Sequence, residues 1–504
     1  SVKKAIFQFM HFRFSAKIFW PALLLMVGAF LLYANSFGNV WTYDDFPVVV
    51  DNPDIRSLVG FFADAHPGRP LRELTYLLDH ALFGLQPGGW HIQNVFWHGL
   101  NAVLVFLLLG RLGVESRVAW FASLLFLVHP IQVEVVANIS HRKDSLALCF
   151  VLLALLCHMR ACEQGRRRWG WEAGMLGAWA LALLAKQNAV VLPLVLLAYE
   201  YAFLADGRRI LLKKRMFGAG VAVASLLGGL FWYRHFVASS GFQAETAKLL
   251  QSKANYFDGA TLDLYYRMVL KSWVFMLGKV IYPTNLALEY TYSIPAGWFD
   301  PWVLAACLLL LAYAVGLWLS ARHSPAVFFG LVWVGSFWLP VANLWPLSYF
   351  AADRYVYVPM VGLCLLLALL FDRVLRTTTG RALVPAALIA ILGVLTWQQN
   401  RVWKNPETLW TQAHRVSSQS TFALNNLGNV YFLKRDFYSR AAALNPMNAT
   451  AHYNLGLIYQ RVGLQAEALK NFRKFLVIDD PTFREQADAL RKRLGISLSK
   501  TPVW

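Results

Sequence analysis

Apolar residues run in long blocks along this chain, and polar residues gather in the intervals between them. A helix that crosses a bilayer needs about 20 mostly apolar residues. Hydropathy marks such runs at 18–36, 94–112, 117–130, 145–161, 172–187, 188–205, 217–238, 302–320, 325–342, 356–371 and 382–398. The pattern predicts an all-α polytopic protein of about 11 transmembrane helices. A further run, 264–282, is interrupted by Arg267, Lys271 and Lys279.

The basic residues orient these helices, because loops rich in Lys and Arg stay inside. "HFRFSAK" (11–17), "GRRRWG" (165–170), "DGRRILLKKR" (206–215), "ARHS" (321–324) and "DRVLRTTTGR" (372–381) all fall inside only if 264–282 does not cross. That run is therefore expected to be membrane-parallel or re-entrant. The N-terminal run shows no small-residue cleavage site and reads as a retained first span. The polar loops 37–93, 129–144, 239–301 and 343–355 then share the outer face with the C-terminal tail.

After Arg401 the chain becomes polar. "NNLGNVYF" (425–432) and "YNLGLIYQ" (453–460) repeat, and Leu455, Gly456, Tyr459, Gly463, Ala468 and Phe472 carry the small–large spacing of a tetratricopeptide (TPR) repeat. The first unit is short, with its gap between Phe437 and Tyr438. The expected division is a transmembrane domain, 1–400, and a TPR domain, 401–504, which would engage an acceptor protein.

Composition sharpens the class. Of 504 residues, 58% are hydrophobic and 15% charged, against about 25% charged in soluble domains. The net charge of +19 lies in the short loops, which points to topology and anionic lipid contact and not to nucleic acid. The five cysteines have neither metal-site nor disulfide spacing.

Four polar clusters stand out. Asp44 and Asp45 follow the first span; the bland alternative is a solvated turn. Arg69 is followed by His91, Asn94, His98 and Asn101 at helical spacing. Polar groups at membrane depth default to function, the alternative being a hydrogen-bonded helix seam. "HPIQVEVVANISHRKDS" (129–145) holds His129, Gln132, Glu134, His141, Arg142, Lys143 and Asp144. Lys186, which could also be a snorkelling lysine, and Asp353–Arg354 complete the set.

Taken in order, "YDD", "GRPL…H..N…H", "HPIQVEVVANISHRKDSLA", "AKQNAVVL", "ADRYVYVP" and "NRVWKNPETLW" resemble the transmembrane and TPR-containing O-mannosyltransferases and their bacterial relatives, of the GT-C superfamily. The resemblance spans nearly the whole chain. It implies a polyprenyl-phosphate sugar as donor, an acceptor hydroxyl, as on protein Ser or Thr, and inversion at the anomeric carbon. The site would lie in the periplasm for a bacterial protein or the ER lumen for a eukaryotic one.

The hydroxyl must lose its proton, which calls for a carboxylate base. Asp44 matches the first acid of the superfamily's outer-loop pair, and Asp45 would orient it or hold the acceptor. A lipid phosphate leaves as an anion, so it needs cations. Arg142, Lys186 and Arg354 are the expected phosphate ligands. Arg69, His91, Asn94, His98, His129 and Glu134 form the expected acceptor network. No metal or other cofactor is expected. Transfer to a lipid or glycan, a transporter, and an inactive TPR scaffold are the competing readings.

Overall fold

The computed structural model describes residues 16–64, 69–163, 168–204, 262–344, 347–478, 480 and 483–494. Among these residues every regular element is helical. The chain divides into two compact units, Ser1–Val416 and Ser417–Trp504.

In the first unit the α-helices are α1 (Ala16–Leu32), α2 (Leu58–Asp64), α3 (Pro70–Phe83), α4 (Pro87–Arg111), α5 (Ser116–Val128), α6 (Val133–Ala137), α7 (Arg142–Glu163), α8 (Arg168–Ala185) and α9 (Leu192–Phe203). They continue with α10 (Leu262–Ile281), α11 (Pro301–His323), α12 (Pro325–Trp338), α13 (Met360–Val374), α14 (Thr378–Asn400) and α15 (Pro406–Val416). Several start with proline at the first turn, where the missing N–H has no partner to lose. Helix α4 is central: it packs on α1, α5 and α7.

The chain is a multi-pass membrane protein. Pro87–Arg111, Ile139–Glu163, Pro301–His323 and Thr378–Trp403 are long and apolar enough to cross a bilayer. Ser116–Val128 and Pro130–Ala137, bent by 51°, give a fifth crossing if counted as one span. Ile18–Leu32, Gln187–Phe203 and Pro325–Val341 are apolar but shorter. The expected count of about 11 is thus not reached among the described residues. The run 217–238 lies outside them. The run 172–187 becomes α8, which starts four residues earlier at Arg168, and the run 356–371 shrinks to the 15 residues of α13.

Only 6% of the most apolar stretch of Thr378–Trp403 is buried, and 17% of that of Pro301–His323. Leu308, Leu311, Ile391 and Val394 therefore point outward, as lipid-facing residues do. The interrupted run 264–282 is one helix, α10. Its three basic side chains turn to other chain segments: Arg267 to Pro295 O (2.7 Å), Lys271 to Ser293 O (2.8 Å) and Lys279 to Thr284 O (2.9 Å).

The second unit contains α16 (Thr421–Leu444), α17 (Ala449–Arg461), α18 (Gln465–Ile478) and α19 (Arg484–Leu494). Helices α17 and α18 form the TPR hairpin. Gly463, at φ 81°, makes the turn between them, a conformation that costs glycine little. A Cβ on Gly456 would lie 2.4 Å from the Phe472 ring, so only glycine allows this closeness. Ala468, Phe472, Phe475, Ala487 and Leu490 form the core. At the short first repeat α16 runs without a break through positions 437 and 438.

Candidate functional site

The first outer segment is pulled taut just before its acids. Tyr43 takes φ 48°, a left-handed conformation costly for a bulky residue. Its surroundings hold it there: the hydroxyl lies 2.9 Å from the Tyr349 hydroxyl, and the ring meets Trp410 edge-on at 5.5 Å. A single π turn, Phe46–Val50, follows, closed by Asp51 N–H donating to Phe46 O at 2.8 Å. Such turns recur at functional sites because they re-aim the chain.

This geometry separates the two acids. Asp45 is fully buried and accepts from the backbone N–H groups of Thr42 (3.0 Å) and Ser140 (2.9 Å). It thereby ties the first polar cluster to the third. Burial raises its pKa to about 7; the two N–H donors oppose the rise and Asp44 adds to it. Asp44 is half-buried, and among the described residues its carboxylate has no hydrogen-bond or ion-pair partner. It lies near enough to Arg69 to act on its charge.

The third and fourth clusters meet at Glu134. One carboxylate oxygen accepts from the Arg354 backbone N–H at 2.9 Å, and the other pairs with the Arg354 guanidinium. The His141 ring lies 3.4 Å from the same carboxylate. Burial works against the Arg354 charge, but Glu134, together with Tyr355 and Tyr349, outweighs it and raises the pKa. Burial, with Glu134 close by, pushes Asp353 well above the usual carboxylate range, and the Tyr290 hydroxyl donates to it at 2.7 Å. Lys186 pairs with Asp144 at 2.5 Å; burial lowers its pKa and Asp144 counters that. Lys143, Arg354, Lys186 and Arg69 all act electrostatically on the His141 ring, so these four cations share one neighbourhood.

Other expected residues lie elsewhere in the fold. Arg142 is 0% exposed, paired with Asp79 at 2.5 Å and donating to Asn94 Oδ1 (2.7 Å) and Trp90 O (3.1 Å). Its fork is engaged by the protein itself. Asn94 donates to Val136 O (3.2 Å) and Asn138 O (3.1 Å), and Asn101 to Ser145 O (2.9 Å). His98 sits 3.1 Å from Leu127 O and 3.0 Å from the Tyr357 hydroxyl. The polar stripe on α4 therefore meets carbonyls of the broken segment 127–145. Broken helix at membrane depth needs such partners. His129 lies 2.9 Å from Val280 O, and His91 is buried within reach of Arg142.

Sequence reading left Glu73, Asp79, Lys143 and Asp144 without roles. For the first two a signal existed: Arg72, Glu73, Tyr76 and Asp79 recur at helical spacing and form the buried face of α3. Among the described residues, His158, Cys162 and Glu200 also approach one another, and His158 Nε2 is 3.0 Å from Glu200. His158 lies 16 residues along α7 from Arg142, roughly 24 Å away at helical rise.

The family described as dolichyl-phosphate-mannose-protein mannosyltransferase matches residues 66–232, and the TPR repeat matches 437–463. The chain is thus similar to the O-mannosyltransferases over part of its length, and it carries a TPR-like region. It is 24% identical over 490 residues to a protein O-mannosyl-transferase of Caenorhabditis elegans, covering 92% of this chain and 63% of the relative. It is 24% identical to protein O-mannosyl-transferase TMTC3 of Homo sapiens, covering 91% of this chain and 55% of that one. With TMTC4 of Mus musculus the identity is 24%, over 90% of this chain and 66% of the relative. The chain thus spans about half to two thirds of the length of these relatives. No solved structure matches it.

Proposed function

We propose that this O-mannosyltransferase-like protein moves a sugar from a polyprenyl phosphate to an acceptor hydroxyl, a protein Ser or Thr, with inversion. The acceptor oxygen attacks the anomeric carbon while its proton passes to Asp44. The bond from that carbon to the phosphate oxygen breaks, and polyprenyl phosphate leaves with the electron pair. The observation that carries this reading is the half-buried Asp44 carboxylate, without a partner among the described residues, beside a neighbour held by two backbone donors. A base must keep a lone pair free for the substrate, and Asp44 does.

In this reading Asp45 holds the loop. Lys186 and Arg354 border the phosphate while each leans on one carboxylate. Arg142, spent on Asp79, Asn94 and Trp90, supports the floor beneath. Preorganised charges of this kind stabilise an anion forming in the transition state. The membrane domain would comprise about 11 spans, with the site on the outer face: the periplasm for a bacterial-type protein, the lumen for one placed like an ER enzyme. The TPR region would present the acceptor protein. The relatives' printed name, protein O-mannosyl-transferase, favours mannose and a protein acceptor here.

The test is sugar transfer by Asp44→Asn in membranes. Loss of a general base lowers the rate by about 10²–10⁴-fold. Near-normal turnover in both Asp44→Asn and Asp45→Asn would remove the enzyme reading.

A further inference from the structure

The far end of α7 carries a second group of convergent side chains. His158 and Cys162 stand four residues apart in its last turns, so both lie on one face of the helix. Helix α9 packs against α7 and brings Glu200 to that face. His158 Nε2 lies 3.0 Å from a Glu200 carboxylate oxygen and 3.8 Å from Cys162 Sγ. The ring nitrogen, the sulfur and the carboxylate oxygen all fall within 4.8 Å of one another.

The bland alternative is a hydrogen-bonded His–Glu pair, and such a pair needs no sulfur. Nε2 carries at most one proton, and Glu200 at 3.0 Å accepts it. Cys162 nonetheless approaches the same nitrogen, so three ligand atoms converge on one point. Zinc holds nitrogen at about 2.0–2.1 Å, oxygen at about 2.0–2.2 Å and sulfur at about 2.3 Å. Tetrahedral angles then set N···O at about 3.4 Å and N···S at about 3.6 Å. The observed separations differ from these by about 0.4 Å or less.

The surroundings suit an ion. The His158 and Glu200 side chains are 13% and 12% exposed, and Cys162 is half-buried, so the group is sheltered yet reachable. The Tyr199 ring meets the His158 ring edge-on at 6.0 Å and helps to fix its plane. Nearby, Arg111 and Arg160 both pair with Glu163 at 3.1 Å. A thiolate and a carboxylate bring two negative charges and a neutral imidazole brings none. A divalent cation closes this set at zero charge, which a low-dielectric environment favours. Magnesium and calcium want oxygen ligands, whereas sulfur and nitrogen select zinc.

We propose that His158, Cys162 and Glu200 bind a zinc ion that fastens the end of α7 to α9, with water in the fourth position. On binding, the Cys162 thiol proton passes to solvent and a sulfur lone pair forms the bond to the metal. The site lies at the other end of the span Ile139–Glu163 from Arg142, so it stands apart from sugar transfer. Cysteine spacing does not disclose it, because the third ligand comes from another helix.

The experiment uses the full chain in lipid nanodiscs, without a polyhistidine tag. The protein is stripped with a chelator and titrated with Zn²⁺, and with Co²⁺ as a spectroscopic stand-in. One zinc per chain is expected, undisturbed by excess Mg²⁺. Cobalt should give the visible bands of a tetrahedral ion and a thiolate charge-transfer band in the near ultraviolet. Cys162→Ser should lose the charge-transfer band, and Cys157→Ser should keep it. Glu200→Gln and His158→Gln preserve hydrogen-bonding side chains and should weaken zinc binding by at least about tenfold, since even partners outside the ligand set are worth that much. Zinc should raise the melting temperature of the wild type and slow hydrogen exchange in the last turns of α7 and α9, and do neither in Cys162→Ser. A charge-transfer band that survives in Cys162→Ser would overturn the assignment, as would wild-type zinc affinity in both Glu200→Gln and His158→Gln. A wild type that takes up no stoichiometric zinc would overturn it too, leaving His158 and Glu200 as a plain ion pair. None of these readouts is sugar transfer, so their failure leaves the transferase reading untouched.

Discussion

Glu134 holds Arg354 at two points, one oxygen on the backbone N–H at 2.9 Å and the other on the guanidinium. The pair joins the end of one broken span to the entrance of α13 across 220 residues of chain. Removing one partner of a buried ion pair typically costs about 3–5 kcal/mol, because the other charge is left uncompensated. Glu134→Ala is therefore expected to lower the melting temperature sharply. Arg354→Lys keeps the charge and the backbone bond but loses the planar fork. It should lower stability modestly and transfer strongly. Thermal unfolding and single-turnover transfer measured on both variants check this. A Glu134→Ala protein as stable as the wild type would refute the pairing.

Asp45 makes stability depend on pH in an unusual direction. Its folded pKa, raised by burial to about 7, lies above that of an unfolded aspartate. Between about pH 4 and 7 the folded state holds the proton more tightly, so this group's contribution falls as pH rises and the loss is complete above about pH 7. Asp45→Asn cannot titrate, and its melting temperature should lack that part of the decline. Parallel slopes for variant and wild type over this window would rule the effect out.

His98 and Asn101 both reach the Tyr357 hydroxyl, at 3.0 Å and 3.2 Å, deep in the bundle. Tyr357→Phe removes one bond from each partner and leaves His98 Nδ1 without its tyrosine partner, at a cost of about 1–3 kcal/mol for a buried unsatisfied group. The expected result is lower thermal stability with transfer retained by the folded fraction. A variant with normal stability and lost transfer would move His98 back into the acceptor network.

Gly456 faces Phe472 with no room for a side chain. Gly456→Ala should destabilise the α17–α18 hairpin by about 1–3 kcal/mol, the usual cost of overpacking. Hydrogen exchange on the full chain would show this as faster exchange confined to α17 and α18. Unchanged protection there would mean the hairpin can open to admit the methyl.

Much of this architecture is local in origin. Hydropathy places α4, α7, α11 and α14 because a bilayer acts on runs of about 20 residues, and such runs are visible one after another along the chain. The α17–α18 hairpin is legible for the same reason, since its Gly456, Gly463, Ala468 and Phe472 pack within a single repeat. The polar clusters stood out because ionisable groups are rare among apolar residues. Which acid answers which cation was not legible. Arg142 and Lys143 are neighbours in sequence, yet one is locked to Asp79 on α3 and the other pairs with no carboxylate among the described residues. Asp44 and Asp45 are likewise adjacent; Thr42 nearby and Ser140, 95 residues away, hold Asp45, and the second of these partners comes only from the tertiary fold. Pairing depends on distances of a few ångströms between segments remote in sequence, and those distances are set when the helices pack, not by any run of residues.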